Sequence, residues 1–175
     1  MNKRDWIILT SLMLAGLILR LIFYLAIKNN WPGWDTPTID ALYHHLWAMR
    51  IADGNILSGG PFFRAPLYPY LLGAIYALFG PNLSPAVIIQ HLIGLSTLPL
   101  IYIIARRYFS ISVAVIALIA TALNGVLIYF ESQLLLDTLT GLFMLLVLFF
   151  LEKVVGSNKP IQFFVAGIII GVFAI

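Results

Sequence analysis

From residue 6 to residue 27 the chain carries no charge except Arg20. Inside a bilayer a run of that length has to be a helix, because hydrocarbon offers peptide groups no partners and a helix satisfies them internally. Residues 85–105, 111–130 and 134–151 repeat the pattern, and residues 161–175 begin it once more. The composition agrees: 62% hydrophobic and 10% charged, against roughly 45–50% and 25% in soluble domains. The expected fold class is therefore an all-α integral membrane protein, a polytopic helical bundle. The first run is too long for a secretory signal, and no small-residue cleavage site follows it. It reads as an uncleaved span with Lys3 and Arg4 in the cytoplasm. The last run is short for a span, so the 175 residues look like the N-terminal part of a single, longer transmembrane domain.

A net charge of +3 does not make this a nucleic-acid binder, because the basic residues sit near segment ends, where they act as topology determinants. The absence of cysteine removes disulfides, thiol nucleophiles and thiolate metal sites from consideration.

The one long polar stretch, residues 28–64, opens with Trp31 and Trp34, which suit a membrane–water interface. A helix is expected over 37–53, with Thr36 as its N-cap, Pro37 in its first turn and Gly54 as its stop. Asp40 falls near the positive end of that helix, and His44, four residues on, shares its face. Residues 66–80 would reach only about 22 Å as a helix, short of the ~30 Å hydrocarbon core. With three tyrosines, they read as a second helix lying in the interface. The positive-inside rule supports this choice. It places Lys3, Arg4, Arg106, Arg107, Lys153 and Lys159 in the cytoplasm and Lys28, Arg50 and Arg64 outside, whereas a spanning segment would leave only Lys3 and Arg4 inside. The same topology puts Asp40, Glu131 and Asp137 on one outer side.

An ionisable residue within a span usually faces a cavity or a partner. For Asp137, capping of its own first turn competes with a functional role, and the latter is favoured because Glu131, Ser132 and Gln133 already supply capping groups. Glu131 reads as the weaker candidate, a loop carboxylate facing solvent. Arg64 would lie at headgroup depth, where its planar fork matches phosphate oxygens; an ordinary headgroup contact is equally open. His44 and His45 point about 100° apart on a helix, so both cannot easily ligate one ion. One of them joining Asp40 and Glu131 around a metal is a minority reading. His91 and Gln90 are expected to hydrogen-bond between helices, Asn124 to act as interhelical glue, Pro99 to kink its span, and Arg20 to snorkel to headgroups in preference to facing a polar cavity.

In order, the chain has a first span, then Asp40-x-x-Tyr43-His44 leading to Ile51-Ala52-Asp53-Gly54. Pro66-Leu67-Tyr68-Pro69, Leu78-Phe79-Gly80, Ala105-Arg106-Arg107-Tyr108-Phe109 and Asp137 follow. This order resembles the N-terminal half of GT-C class membrane glycosyltransferases of the family 39 type, which includes protein O-mannosyltransferases, aminoarabinose transferases and lipopolysaccharide sugar transferases. The resemblance implies two interfacial helices in the first outer loop, Asp40 as the catalytic carboxylate and Asp137 as a second essential acid. Many relatives carry Lys-Pro-Pro or Pro-Pro-Leu at the second interfacial helix. Here Arg64-Ala65-Pro66-Leu67 stands there, so Arg64 would take the cationic role beside the donor phosphate. Tyr43, His44 and Glu131 stand as supporting positions. Some relatives hold a metal through a Glu just before that cation. Phe63 occupies the position here, which leaves a divalent metal open and no cofactor certain.

The resemblance further implies a polyprenyl-phosphate sugar donor, a lipid, glycan or protein acceptor, and inverting transfer at the outer face of a bacterial or archaeal plasma membrane. Two rival readings are a transporter lined by Asp137, Arg20 and His91, and an inactive fragment or scaffold. A transporter usually shows repeats or broken midplane helices, and neither is legible in the sequence.

Overall fold

The computed structural model describes residues 2–57, 62, 64–155 and 159–173. Within them every regular element is a helix. Helix α1 (Lys3–Asn30) starts from a reciprocal cap in which the Asn2 side chain accepts the Asp5 N–H and the Asp5 carboxylate accepts the Asn2 N–H. At 28 residues it is about 42 Å long. Helix α4 (Leu83–Tyr108) is nearly as long and stays helical through Pro99. Both are long and apolar enough to cross a membrane.

The two helices run antiparallel. Tyr102 near the end of α4 meets Asp5 at the start of α1, Leu98 packs beside Gly16, and Arg20 and His91 converge further along. Leu9, Leu98, Tyr102, Ala105, Ala114, Leu118 and Ala122 form the core they share with α5 (Ile111–Ala122). The alanines let backbones approach closely, which is how apolar helices associate where hydrophobicity no longer discriminates.

The expected single span over 111–130 is not one continuous helix. α5 stops at Ala122, and α6 (Gly125–Phe130) leaves it at an angle of 48°. Asn124 sits at the break, where its side chain accepts the N–H groups of Val126 and Leu127. It is a local cap and not interhelical glue. α7 (Asp137–Val154) begins three residues later than the apolar run, because Leu134–Leu136 belong to a turn, and it packs against α4 and α8 (Pro160–Phe173).

Two short helices, α2 (Ile39–Ala52) and α3 (Leu67–Phe79), form a tight hairpin at the other end of the bundle from Asp5. α2 starts later than expected. Thr38 and not Thr36 holds the cap position, without a side-chain capping bond, and Pro37 precedes the helix. Ile39 has φ +51°, a left-handed backbone rarely adopted by a β-branched residue. The stop at Gly54 is as expected. Gly54 has φ +91°, its N–H bonds Ile51 O, and the Asn55 N–H bonds Arg50 O, a Schellman closure. At Gly73 an added Cβ would lie 2.7 Å from the Ile51 side chain, so only glycine lets α3 cross α2 this closely. Tyr68, at the start of α3, hydrogen-bonds Gln90, seven residues into α4. This bond, with the packing of Tyr68, Leu72, Ile75 and Tyr76 alongside Ala86 and Leu134, joins the hairpin to the first part of α4 and to the turn before α7.

Candidate functional site

The sequence neighbours of Asp40 assemble around it. Arg64 Nη1 lies 2.8 Å from Asp40 Oδ2, with both side chains between one third and one half exposed. The guanidinium carbon also stands 5.4 Å from the centre of the Tyr43 ring, where the ring's negative face attracts it. Arg64 reaches this position from the approach to α3, and Asp40 and Tyr43 come from the first turns of α2, so the hairpin itself makes the pair. The hydrogen bond from Arg64 holds the Asp40 carboxyl below the usual carboxylate range, burial opposing it only in part, and the same bond raises Arg64. A cavity of about 260 Å³ opens beside Asp40, walled by Trp34, Pro37, Thr38 and the turn at Gln133 and Leu134.

His44 is buried one turn along α2. Its Nδ1 lies 2.9 Å from Leu134 O. A carbonyl only accepts, so Nδ1 carries the proton and Nε2 is the basic nitrogen. Burial is the main influence on the ring and pushes its pKa down. Arg64 pushes the same way, while the Leu134 carbonyl, Asp40 and Asp137 oppose. Asp137 opens α7 and is exposed. It acts electrostatically on both His44 and Tyr68. The imidazole therefore lies within the fields of both carboxylates and of Arg64. His45 faces elsewhere and bonds the Tyr76 hydroxyl at 2.7 Å.

Glu131 departs from expectation. It is not a solvated loop carboxylate but one of the most buried groups in the chain, 3% exposed. Arg20 grips it with two bonds, Nε to Oε2 at 2.7 Å and Nη2 to Oε1 at 2.6 Å. His91 Nδ1 donates to Oε2 at 2.8 Å. Arg20 accordingly does not snorkel; it is fully buried and spends its fork on this carboxylate. Glu131 Oε1 lies so close to the α4 backbone that a Cβ on Gly94 would sit 2.0 Å away. Gln90 bonds between helices as expected, accepting from Tyr68 of α3, whereas His91 bonds to the turn that follows α6. Gln90 Nε2 donates to Glu131 O at 2.7 Å and to Gln133 O at 2.6 Å. Ser132 Oγ lies 3.3 Å from His91 Nε2. Beside Arg20 and Glu131 an apolar cavity of about 460 Å³ extends past Asp137 and Thr140 to Met144.

The structure thus gathers Asp40, Tyr43, His44 and Arg64, brings Asp137 within their field, and leaves Glu131 to Arg20 and His91. The metal set of Asp40, Glu131 and one histidine is not assembled. Among the described residues no three His, Asp or Glu converge on a cation. Phe63 lies outside the described residues. The Arg20–Glu131 pair went unread in the sequence, although a charge deep in an apolar run has to find a partner.

Residues 63–174 match the family model described as dolichyl-phosphate-mannose-protein mannosyltransferase. Arg64 and Asp137 fall inside the matched stretch, and Asp40 precedes it. No curated protein and no solved structure matches the chain.

Proposed function

Since the chain belongs to the dolichyl-phosphate-mannose-protein mannosyltransferase family, a GT-C group of membrane glycosyltransferases, we propose that it transfers a sugar from a polyprenyl-phosphate donor to a hydroxyl of a lipid, glycan or protein acceptor. The reading places this chemistry at the outer face of a multi-pass protein in a bacterial or archaeal plasma membrane. α2 and α3 then lie in the interface, where a lipid-borne sugar phosphate meets an acceptor from water.

In this reading Asp40 accepts the proton of the acceptor hydroxyl as its oxygen attacks the anomeric carbon. The bond from that carbon to the phosphate oxygen breaks on the opposite side, its electron pair leaves with the polyprenyl phosphate, and the configuration inverts. Arg64 balances the charge gathering on the phosphate. Asp137 is the second essential acid and orients the sugar or a partner cation. The pairing of Asp40 with Arg64 fits such a cycle. With the guanidinium attached, Asp40 is a poor base; a donor phosphate that draws Arg64 away leaves a more basic carboxylate beside the arriving hydroxyl. Charge and geometry thus make the base strongest when the donor is bound.

The observation that carries the proposal is the half-exposed Arg64–Asp40 pair at 2.8 Å, on the same end of the bundle as Asp137. The test is transfer of sugar from polyprenyl-phosphate mannose by membranes containing the Asp40→Asn variant. Insertion should be normal and transfer lost. Ordinary turnover by Asp40→Asn would remove Asp40 from the chemistry.

A further inference from the structure

Between α6 and α7 the chain leaves regular helix for residues 131–136, and this short turn is held by side chains from three other helices. Gln90 of α4 donates to two of its carbonyls, Glu131 O and Gln133 O. His44 of α2 donates to a third, Leu134 O. Arg20 of α1 and His91 of α4 fix the Glu131 side chain. Turn carbonyls ordinarily find water or backbone donors; here buried side chains bring the donors to them. At its end the turn delivers Asp137 as the first residue of α7. His44, which grips its middle, lies one turn from Asp40 on the same face of α2. Both carboxylates are therefore tied to one piece of backbone, although they sit on different helices.

We propose that the turn at residues 131–136 is a common anchor that sets the separation of Asp40 and Asp137, and that His44 and Gln90 are positioning residues acting through its carbonyls. His44 does so through Nδ1–H, by holding Leu134 O, and not by offering Nε2 to a substrate. This role rests on the assignment of Asp40 and Asp137 to the transfer reaction.

Two substitutions separate the nitrogens. Asparagine places an amide N–H close to where Nδ1–H was; glutamine places one close to Nε2; leucine supplies neither. In the membrane-inserted full chain, with polyprenyl-phosphate mannose as donor, His44→Leu and His44→Gln should lower kcat by about tenfold or more, as expected when reacting groups lose alignment. The KM for the donor should stay within about twofold, since phosphate contacts are untouched. His44→Asn should recover most of kcat. A second readout needs no activity. The chain has no cysteine, so Leu46→Cys on α2 and Leu148→Cys on α7, both at exposed positions, accept one pair of spin labels. Double electron–electron resonance should give a narrow distance distribution in the parent and in His44→Asn, and a broadened or shifted one in His44→Leu and in Gln90→Met. Activity in His44→Gln but not in His44→Asn would show Nε2 acting on substrate and overturn the proposal. So would distances unchanged in His44→Leu. A parent chain that transfers no sugar would defeat the proposed function alone, because the distance measurement still decides whether the turn fixes α2 against α7.

Discussion

Asp40 is held by a partner that weakens it as a base and keeps it ionised. Its carboxyl lies below the ordinary value because Arg64 bonds the charged form, so any stabilisation from the pair is present above the unfolded value of about 3.9 and is lost as pH falls through the lower folded value. The same shift governs catalysis in the free enzyme. The acid limb of kcat/KM should lie below the usual carboxylate range, and Arg64→Met should move it upward towards that range, read from a pH–rate profile. An unmoved limb would mean that the pair does not form in the working protein. Ile39, directly before Asp40, is the other unusual residue. A left-handed β-branched residue costs roughly 1–2 kcal/mol, and strain of this kind gathers where a neighbouring group must be aimed. Ile39→Gly should raise the thermal midpoint while lowering turnover; a fall in both would show that the isoleucine side chain is needed for packing despite its 85% exposure. At this scale the cluster of Asp40, Tyr43, His44 and Arg64 was legible because it lies within one polar stretch of sequence. Arg20 and Glu131 were not, because 111 positions separate them and only the packing of α1 against α4 and α6 brings them together.

Among the elements, apolar run length located the helices and missed their breaks. The run over 111–130 gives no hydropathic sign of the bend, since apolar residues continue on both sides of it. The signal is Asn124, a good N-cap within an apolar run, whose side chain accepts the first free N–H groups of α6. The bend carries Glu131 into the bundle, and the Arg20–Glu131 pair then clasps α1 to the turn that precedes α7. A buried pair of this kind is weak evidence for net stability but costly to halve, about 3–5 kcal/mol when one partner is lost. Glu131→Gln should therefore lower the melting temperature in detergent sharply. Arg20→Met combined with Glu131→Gln should recover much of the loss, because no uncompensated buried charge remains. A double variant no better than the single one would show that the bonds from His91 and Gln90, and not the charge balance, hold the turn.

For the molecule as a whole, the ion pairs distinguish two ends. Asp5 with Tyr102 and Arg106, and Arg107 with Glu152 at 2.8 Å, mark one end; Asp40 with Arg64, and Asp137 near His44, mark the other. Basic-residue counting assigns these two groups to opposite sides of a membrane, and their separation in the fold was legible because charge at segment ends is a coarse signal that survives errors of a few residues in helix limits. The native lack of cysteine makes its orientation measurable. Asn55→Cys should react with an impermeant maleimide added to intact cells, and Ser110→Cys only after permeabilisation; the reverse pattern would invert the topology and place Asp40 in the cytoplasm. The charged contacts at the Asp5 end also have a mechanical consequence. They clip α1 to α4 and α4 to α7 at that rim, while at the opposite rim the corresponding charges belong to the short hairpin and the turn. Separating α1 from α4 at that rim would break the Asp5 contacts to Tyr102 and Arg106, and separating α4 from α7 would break the Arg107–Glu152 pair.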